Sequence, residues 1–220
     1  MFAATKCGAT TLTLAFYASA SSQASTVTVP AGVTTGDLLV LFDAAYETGV
    51  TPYTTFPTAV LPSGFTSILN VTNSYTSGSN TYNIRRIVSY FIATSDIGGT
   101  SITGMNGGGD EAKALLCFKR SGGIISVTSN GLQYQADNGV TDPAAQTITA
   151  ASGNVPLVAL GFASGSITAS PAYDGVVSNT SGGIPVYACY KVYNNAPQNV
   201  TVNTGSASGA FLASCYFSIT

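Results

Sequence analysis

The chain has 220 residues, of which only 7% are charged, and its formal net charge is −2. Globular proteins average about 25% charged residues, and proteins that bind nucleic acid through its phosphates carry a basic stripe that is missing from this sequence. No apolar run approaches the about 20 residues needed to span a bilayer. We therefore expect neither nucleic acid nor a membrane as a partner.

The first apolar segment, Leu12 to Ala20, has some features of a secretory signal. It follows Lys6 and ends in Ala-Ser-Ala, which imitates a cleavage site. However, threonines interrupt the apolar run, and the basic region is a single lysine. We predict a first strand and a Ser-rich turn here, retained in the protein.

Further along, the chain is rich in Thr, Ser, Asn, Tyr and Phe and contains 24 Gly. This composition is typical of strands joined by many turns, and not of a disordered chain. The predicted strands lie near 11–18, 26–30, 37–45, 64–71, 82–94, 100–104, 112–120 and 124–129, and then near 146–150, 155–163, 172–177, 184–194, 198–203 and 210–219. Many short strands without helical periodicity predict an all-β, antiparallel β-sandwich.

Similar segments occur twice in the same order, which predicts two pseudo-repeated halves at approximately 1–130 and 146–220. The first series is Val27–Val29, Leu38–Ala44, Pro62–Phe65, Tyr90–Ile102 and Leu115–Phe118, and the second is Thr147–Thr149, Leu157–Ala163, Pro171–Tyr173, Tyr190–Val202 and Ala213–Tyr216. The last match places Cys117 opposite Cys215. It also favours a strand at Glu111–Phe118, although that segment contains strong helix formers.

The segment Leu38 to Phe42 is apolar at every position, so it should be a central strand that is covered on both faces. Each half alone would leave one sheet face bare. We therefore expect the halves to pack face to face as a single β-sandwich domain over 1–220.

The four cysteines are Cys7, Cys117, Cys189 and Cys215. Three of them lie within apolar strand patterns, where a free thiol behaves as a small buried hydrophobe. Their spacing matches no CxxC metal site. Buried thiols are favoured, and a disulfide is the alternative interpretation.

The sequence contains no His, which removes the commonest general base, Ser-His and Cys-His nucleophiles and most zinc sites. The nine acidic residues are mostly isolated at turns. Asp37 is predicted to cap turn amides. Asp137 to Asp142 offers oxygens for Ca²⁺ but does not match the EF-hand spacing, so we favour a turn. We predict no catalytic residue, no cofactor and no metal, and hence no enzyme.

An insertion from Tyr46 to Leu61 distinguishes the first half from the second. Its Tyr46, Tyr53, Phe56 and Pro57, on a long loop, are candidate contacts with a protein or glycan partner. The alternative is that the loop folds back and caps the sandwich.

Three segments carry a resemblance to a known family: Val27-Thr-Val-Pro-Ala-Gly-Val-Thr-Thr-Gly-Asp-Leu-Leu-Val40, Pro62-Ser-Gly-Phe-Thr66, and Arg86 through Thr100. The sequence resembles tailed-bacteriophage virion proteins with a jelly-roll-like β-sandwich, of the capsid decoration or tail-associated type. Phe65 departs from the family pattern, in which Trp is more frequent.

The resemblance implies a location in the virion and a structural role as a capsid decoration or cement protein. It also leaves open a tail or fibre receptor-binding, lectin-like module. The implied partners are capsid or tail proteins of the virion, further copies in a homo-oligomer, or a glycan on the host surface. A secreted bacterial surface protein is a third hypothesis.

Overall fold

The computed structural model describes residues 12–50, 55–77, 80–105, 111–135, 146–148, 157–163, 167–170, 174–179, 186–193, 200–204 and 211–219. These residues form strands in antiparallel sheets and no helix, which confirms the predicted all-β class and is consistent with a β-sandwich. The strands are β1 (Leu14–Ser22), β2 (Thr26–Thr28), β3 (Leu38–Val50), β4 (Thr66–Ser77), β5 (Asn80–Ile92), β6 (Ser101–Thr103), β7 (Glu111–Arg120), β8 (Ile125–Gln135), β9 (Gln146–Ile148), β10 (Leu157–Ala163), β11 (Ile167–Ser170), β12 (Gly175–Asn179), β13 (Val186–Tyr193), β14 (Val200–Thr204) and β15 (Phe211–Ile219).

Each predicted strand has a counterpart, and the segment with strong helix formers is strand β7. Its residues 112 to 118 are all buried, so tertiary packing overrides the local helix propensity. Strand β11 was not predicted. It is a four-residue edge strand beside β14, and so short a segment carries little periodic signal of its own.

Two five-stranded sheets make up most of the fold. The first sheet has the order β1-β7-β3-β5-β4, and the second sheet has the order β12-β13-β10-β15-β8. A two-stranded sheet, β2-β6, and a three-stranded sheet, β11-β14-β9, accompany them.

The interior cluster lies between the two five-stranded sheets and draws on residues of both. Strands β3 and β7 contribute their even-numbered residues, and strands of the second sheet contribute the facing side chains. Three aromatic contacts cross the interface, between Tyr90 and Phe217, between Phe118 and Tyr190, and between Phe16 and Tyr190. The fully or nearly buried members are Leu14, Leu38, Val40, Phe42, Ala44, Tyr46, Ile84, Val88, Ala112, Ala114, Leu116, Phe118, Val186, Ala188, Tyr190, Cys215, Phe217 and Ile219.

The outer cluster covers the opposite face of the first sheet. There, Val27 of β2 and Ile102 of β6 pack with Leu39, Leu41 and other buried residues of the sheet. Since alternate side chains of a strand point to opposite faces, the apolar run at Leu38–Phe42 serves both clusters. Strand β3 is therefore a central strand covered on both faces, as its composition predicts.

The cysteines Cys117, Cys189 and Cys215 are buried thiols, as expected, whereas Cys7 lies outside the described residues. Burial raises the pKa of both Cys117 and Cys215 to about 12. The prediction that Cys117 and Cys215 occupy equivalent positions in the two halves is wrong, because Cys117 belongs to the outer cluster and Cys215 to the interior cluster.

The reason is a register difference of one residue. Tyr90 and Leu116 both pair with Val40, whereas Tyr190 and Cys215 both pair with Leu160. Relative to the two tyrosines, Cys215 corresponds to Leu116 and not to Cys117. A slip of one residue moves a side chain to the other face of its sheet.

Candidate functional site

The four candidate contact residues do not lie together on one exposed loop. The expectation that Tyr46 lies on a loop is wrong, because strand β3 continues to Val50 and Tyr46 is only 8% exposed within the interior cluster. Tyr53 lies outside the described residues. Phe56 is half-buried and Pro57 is buried. Their contact with a partner remains a prediction.

Residues 55–60 fold back onto the first sheet. The amide of Asn83 donates a hydrogen bond of 2.7 Å to the Thr55 carbonyl, and the Thr55 hydroxyl donates one of 2.9 Å to the Glu47 carboxylate. Further along, Val60 packs against a small buried cluster that includes Ile87. This part of the insertion therefore caps one face of the sheet, as the alternative interpretation predicts.

A shallow groove of about 460 Å³ lies where residues 60–65 approach residues 97–103. Its apolar walls include Phe65 and Phe91, whose rings stack with centroids 5.3 Å apart, and Leu61, which is 43% exposed. Ser and Thr hydroxyl groups complete the lining, and none of the described residues that line the groove is ionisable. The groove thus offers apolar and hydroxyl surface for contact, not groups for acid–base chemistry.

The turn before β3 is built around Asp37, which is 4% exposed. Its carboxylate accepts a hydrogen bond of 2.7 Å from the Thr34 N–H and an ion-pair contact of 2.6 Å from Lys119. Gly32 and Gly36 both have positive φ values, 84° and 92°, which glycine adopts without strain. The predicted capping role of Asp37 is confirmed.

A buried group of charged side chains lies on the outer face of the first sheet. Lys113 Nζ is 3.1 Å from Asp43 Oδ1 and 3.4 Å from Glu111 Oε2, and the exposed side-chain fractions are 0%, 2% and 13% for the lysine, aspartate and glutamate. The Met105 N–H donates a hydrogen bond of 2.7 Å to Asp43 Oδ2. Burial raises the pKa of Asp43, although the charge of Lys113 opposes this effect.

Sequence reasoning missed this group because it treated the acidic residues as mostly isolated, without looking for a basic partner on a neighbouring strand. One signal was present: Asp43 and Lys113 each interrupt an otherwise apolar run. A buried ionisable residue needs a partner, so two such interruptions in neighbouring strands indicate a pair.

A second buried cation, Arg86, lies within β5 and is 1% exposed. Its guanidinium donates a short hydrogen bond to the side-chain oxygen of Asn73 on the adjacent strand β4. Arg86 pairs with Ala44, so it shares the face of the interior cluster. The bond to Asn73 compensates part of the desolvation of the guanidinium.

In the described part of the chain, no three His, Cys, Asp or Glu residues are grouped so as to hold a metal ion. The candidate calcium segment, 137–142, lies outside that part. The described residues also contain no helix with the length and hydropathy required to cross a bilayer. Comparison with protein-family models, with curated proteins and with solved structures gave no match.

Proposed function

We propose that the chain is a non-enzymatic structural protein of a bacteriophage virion, a capsid decoration or cement protein that binds the assembled shell. The observation that carries this proposal is the resemblance of Val27–Val40 to a segment of such proteins. In the fold, Val27, Val29 and Val33 are at most 1% exposed and form part of the outer cluster. The matching residues are therefore those on which the fold itself depends.

The positions of the small and charged residues in this segment support the same interpretation. Gly32 and Gly36 occupy backbone conformations that disfavour other residues, and Asp37 holds the turn between them and β3. A motif with so many geometric requirements is specific for a fold. The fold does not fix the role, since one fold can serve many functions. The virion role therefore depends on the resemblance alone.

We also infer that the domain is jelly-roll-like and is built from two pseudo-repeated halves. Strand order supports the duplication: β1-β7-β3-β5-β4 in the first sheet matches β8-β15-β10-β13-β12 in the second. In this match β8 opens the second half, whereas the sequence-based division placed the strand near 124–129 in the first half. The pair β2-β6 has its counterpart in β9 and β14, which are also neighbours. The interior cluster, which both sheets share, supports a single domain.

The surface chemistry favours attachment to a protein shell through short-range contacts and not through long-range electrostatic attraction. With 7% charged residues and a net charge of −2, the chain has little electrostatic steering to offer. Attachment should therefore depend on apolar and hydrogen-bonding contacts, and it should change little with ionic strength, which screens mainly exposed charges.

The test uses particles of the phage whose genome encodes this chain. Purified particles are separated into shell and tail fractions after mild denaturant, and the chain is located by mass spectrometry. Purified chain is then added to shells from which it has been removed, at low and high salt. We expect the chain in the shell fraction and rebinding at both salt concentrations.

Absence of the chain from the shell fraction overturns the proposal. If the chain is found only with tails or fibres, the receptor-binding module takes its place. In that case host adsorption should weaken when Tyr53 and Phe56 are replaced by Ala, the two aromatic residues of the insertion that lie beyond β3.

A further inference from the structure

The buried lysine and aspartate on the outer face of the first sheet form an unusual pair. Asp43 of β3 and Lys113 of β7 are directly opposite each other in the antiparallel register. The amine nitrogen lies 3.1 Å from Asp43 Oδ1, and the side chains are 0% and 2% exposed. The same carboxylate oxygen has no hydrogen-bond partner among the described residues.

The charged forms of Lys113 and Asp43 are energetically unfavourable in this buried position. Removing both charges from water carries a desolvation penalty, which mutual attraction offsets only when the geometry is excellent and the remaining lone pairs are satisfied. Proton transfer from the ammonium to the carboxylate leaves a neutral amine beside a neutral carboxylic acid. Burial raises the pKa of Asp43, which favours the protonated carboxyl.

The surrounding groups match what condensation of an amine with a carboxylic acid requires. The Met105 N–H, 2.7 Å from Asp43 Oδ2, is placed to stabilise negative charge that develops on this oxygen. Glu111, on the same face of β7 as Lys113, has Oε2 at 3.4 Å from the amine and can relay a proton. It is 13% exposed, whereas the lysine is fully buried.

The backbone at Gly104 closes the site tightly. A Cβ atom at this position would lie 2.2 Å from Asp43 Oδ2 and 2.7 Å from Lys113 Cε. The Lys113 amine also donates a hydrogen bond of 2.9 Å to the Met105 carbonyl, which fixes the position of the nitrogen. The chain thus holds the amine and carboxyl in contact with little room for water, an arrangement that favours reaction between them.

We propose that Lys113 and Asp43 form an intramolecular isopeptide bond, with Glu111 as the acid–base residue. The neutral amine nitrogen attacks Cγ of the protonated Asp43 carboxyl, and a C–N bond forms. Glu111 accepts a proton from the nitrogen and returns it to the departing hydroxyl group, so the C–O bond breaks and one water leaves. No oxidant or other reactant is needed, and Glu111 ends in its starting state.

Intact-mass measurement of the purified full chain tests the proposal directly. We expect a mass lower than that of the sequence by one water molecule. After denaturation and proteolysis, we expect one joined peptide that contains both Asp43 and Lys113. The variant Lys113→Arg should show the full sequence mass, since a guanidinium does not form this amide, and it shares any N-terminal processing with the parent chain.

Two more variants separate the chemistry from the fold. Glu111→Gln keeps the shape of the side chain but cannot relay the proton. Most molecules of this variant should therefore be folded and have the full sequence mass. Lys119→Arg changes the lysine of a more exposed ion pair. The Lys119 nitrogen is 2.6 Å from the Asp37 carboxylate, and the Lys119 side chain is 38% exposed. This control should lose the water as the parent does.

A parent chain with the full sequence mass overturns the proposal, because a residual ion pair changes no covalent mass. Loss of water without a joined peptide also overturns it, since an aspartate can lose water by cyclising on its own backbone. The proposal is independent of the virion role. Absence of the chain from a shell leaves the mass unchanged, and a full mass leaves the shell location unchanged.

Discussion

The contact between Tyr90 and Phe217 offers a quantitative test of how the two five-stranded sheets face each other. Tyr90 belongs to β5 of the first sheet and Phe217 to β15 of the second. Their ring centroids are 5.5 Å apart at an interplanar angle of 68°, an edge-to-face arrangement. Phe217 is fully buried, and Tyr90 is partly buried. The pair therefore reports on the interior cluster alone.

The perturbation is a double-mutant cycle with Tyr90→Leu and Phe217→Leu. Leucine keeps most of the apolar volume, so each substitution should cost less than the about 3–5 kcal/mol typical of Phe→Ala in a core. The fold should survive, because domains usually have about 5–15 kcal/mol of unfolding free energy. An edge-to-face aromatic pair is worth about 0.5–1.5 kcal/mol beyond its buried area. We expect a coupling energy in that range.

The assay is equilibrium unfolding in urea for the parent, the two single variants and the double variant, with the slope m checked for constancy. Phe91→Leu paired with Phe217→Leu is the matched control, since Phe91 is adjacent to Tyr90 in β5 but packs with the outer cluster against Phe65. The control pair should be additive within about 0.3–0.5 kcal/mol. Additivity of both pairs, or equal coupling in both, would refute the face-to-face arrangement of the sheets.

Three other results are expected. Gly104→Ala should lower the unfolding free energy by about 1–3 kcal/mol, because its methyl group would lie 2.2 Å from a buried carboxylate oxygen; an unchanged urea midpoint would contradict this packing. Asp37→Ala should cost about 1–3 kcal/mol by removing a charged hydrogen-bond acceptor, and the exposed turn acceptor Asp96, changed to Ala, should cost less; equal losses would contradict the buried turn. The thiols of Cys117 and Cys215 should react with a thiol reagent only after unfolding, since burial raises their pKa from 9.0 to about 12. The unfolded chain loses these two thiol protons at lower pH than the folded chain, so the unfolding free energy should fall as pH rises from 9.0 towards about 12. Rapid labelling of Cys117 or Cys215 in the native protein would refute their burial.

The two-sided burial of β3 was predictable because it depends on composition alone. A continuous apolar run such as Leu38–Phe42 cannot leave either face in water, whatever the partner strands are. The strand at Glu111–Phe118 was predictable for a different reason, namely the match of its Leu115–Phe118 with Ala213–Tyr216. Local propensity alone would have assigned it to a helix.

The errors concern register and the ends of strands. Tyr46 was assigned to a loop because it begins the insertion that the second half lacks, yet pairing with β5 extends β3 to Val50. A partner strand can supply hydrogen bonds that local sequence does not predict. The two cysteines were aligned through the match of Leu115–Phe118 with Ala213–Tyr216, and a register difference of one residue places Cys117 in the outer cluster and Cys215 in the interior cluster.

The amino-acid sequence by itself determined the strand-rich class, the turn that Asp37 caps and the lack of histidine chemistry, because each follows from residue type and local pattern. Only the tertiary structure decided that Asp43 and Lys113 meet in the closed space beneath Gly104. Their alignment depends on the register between β3 and β7, which are distant in the chain and are brought together by packing on both faces of the first sheet. Alternation tells which face a side chain takes, but long-range pairing selects its neighbour.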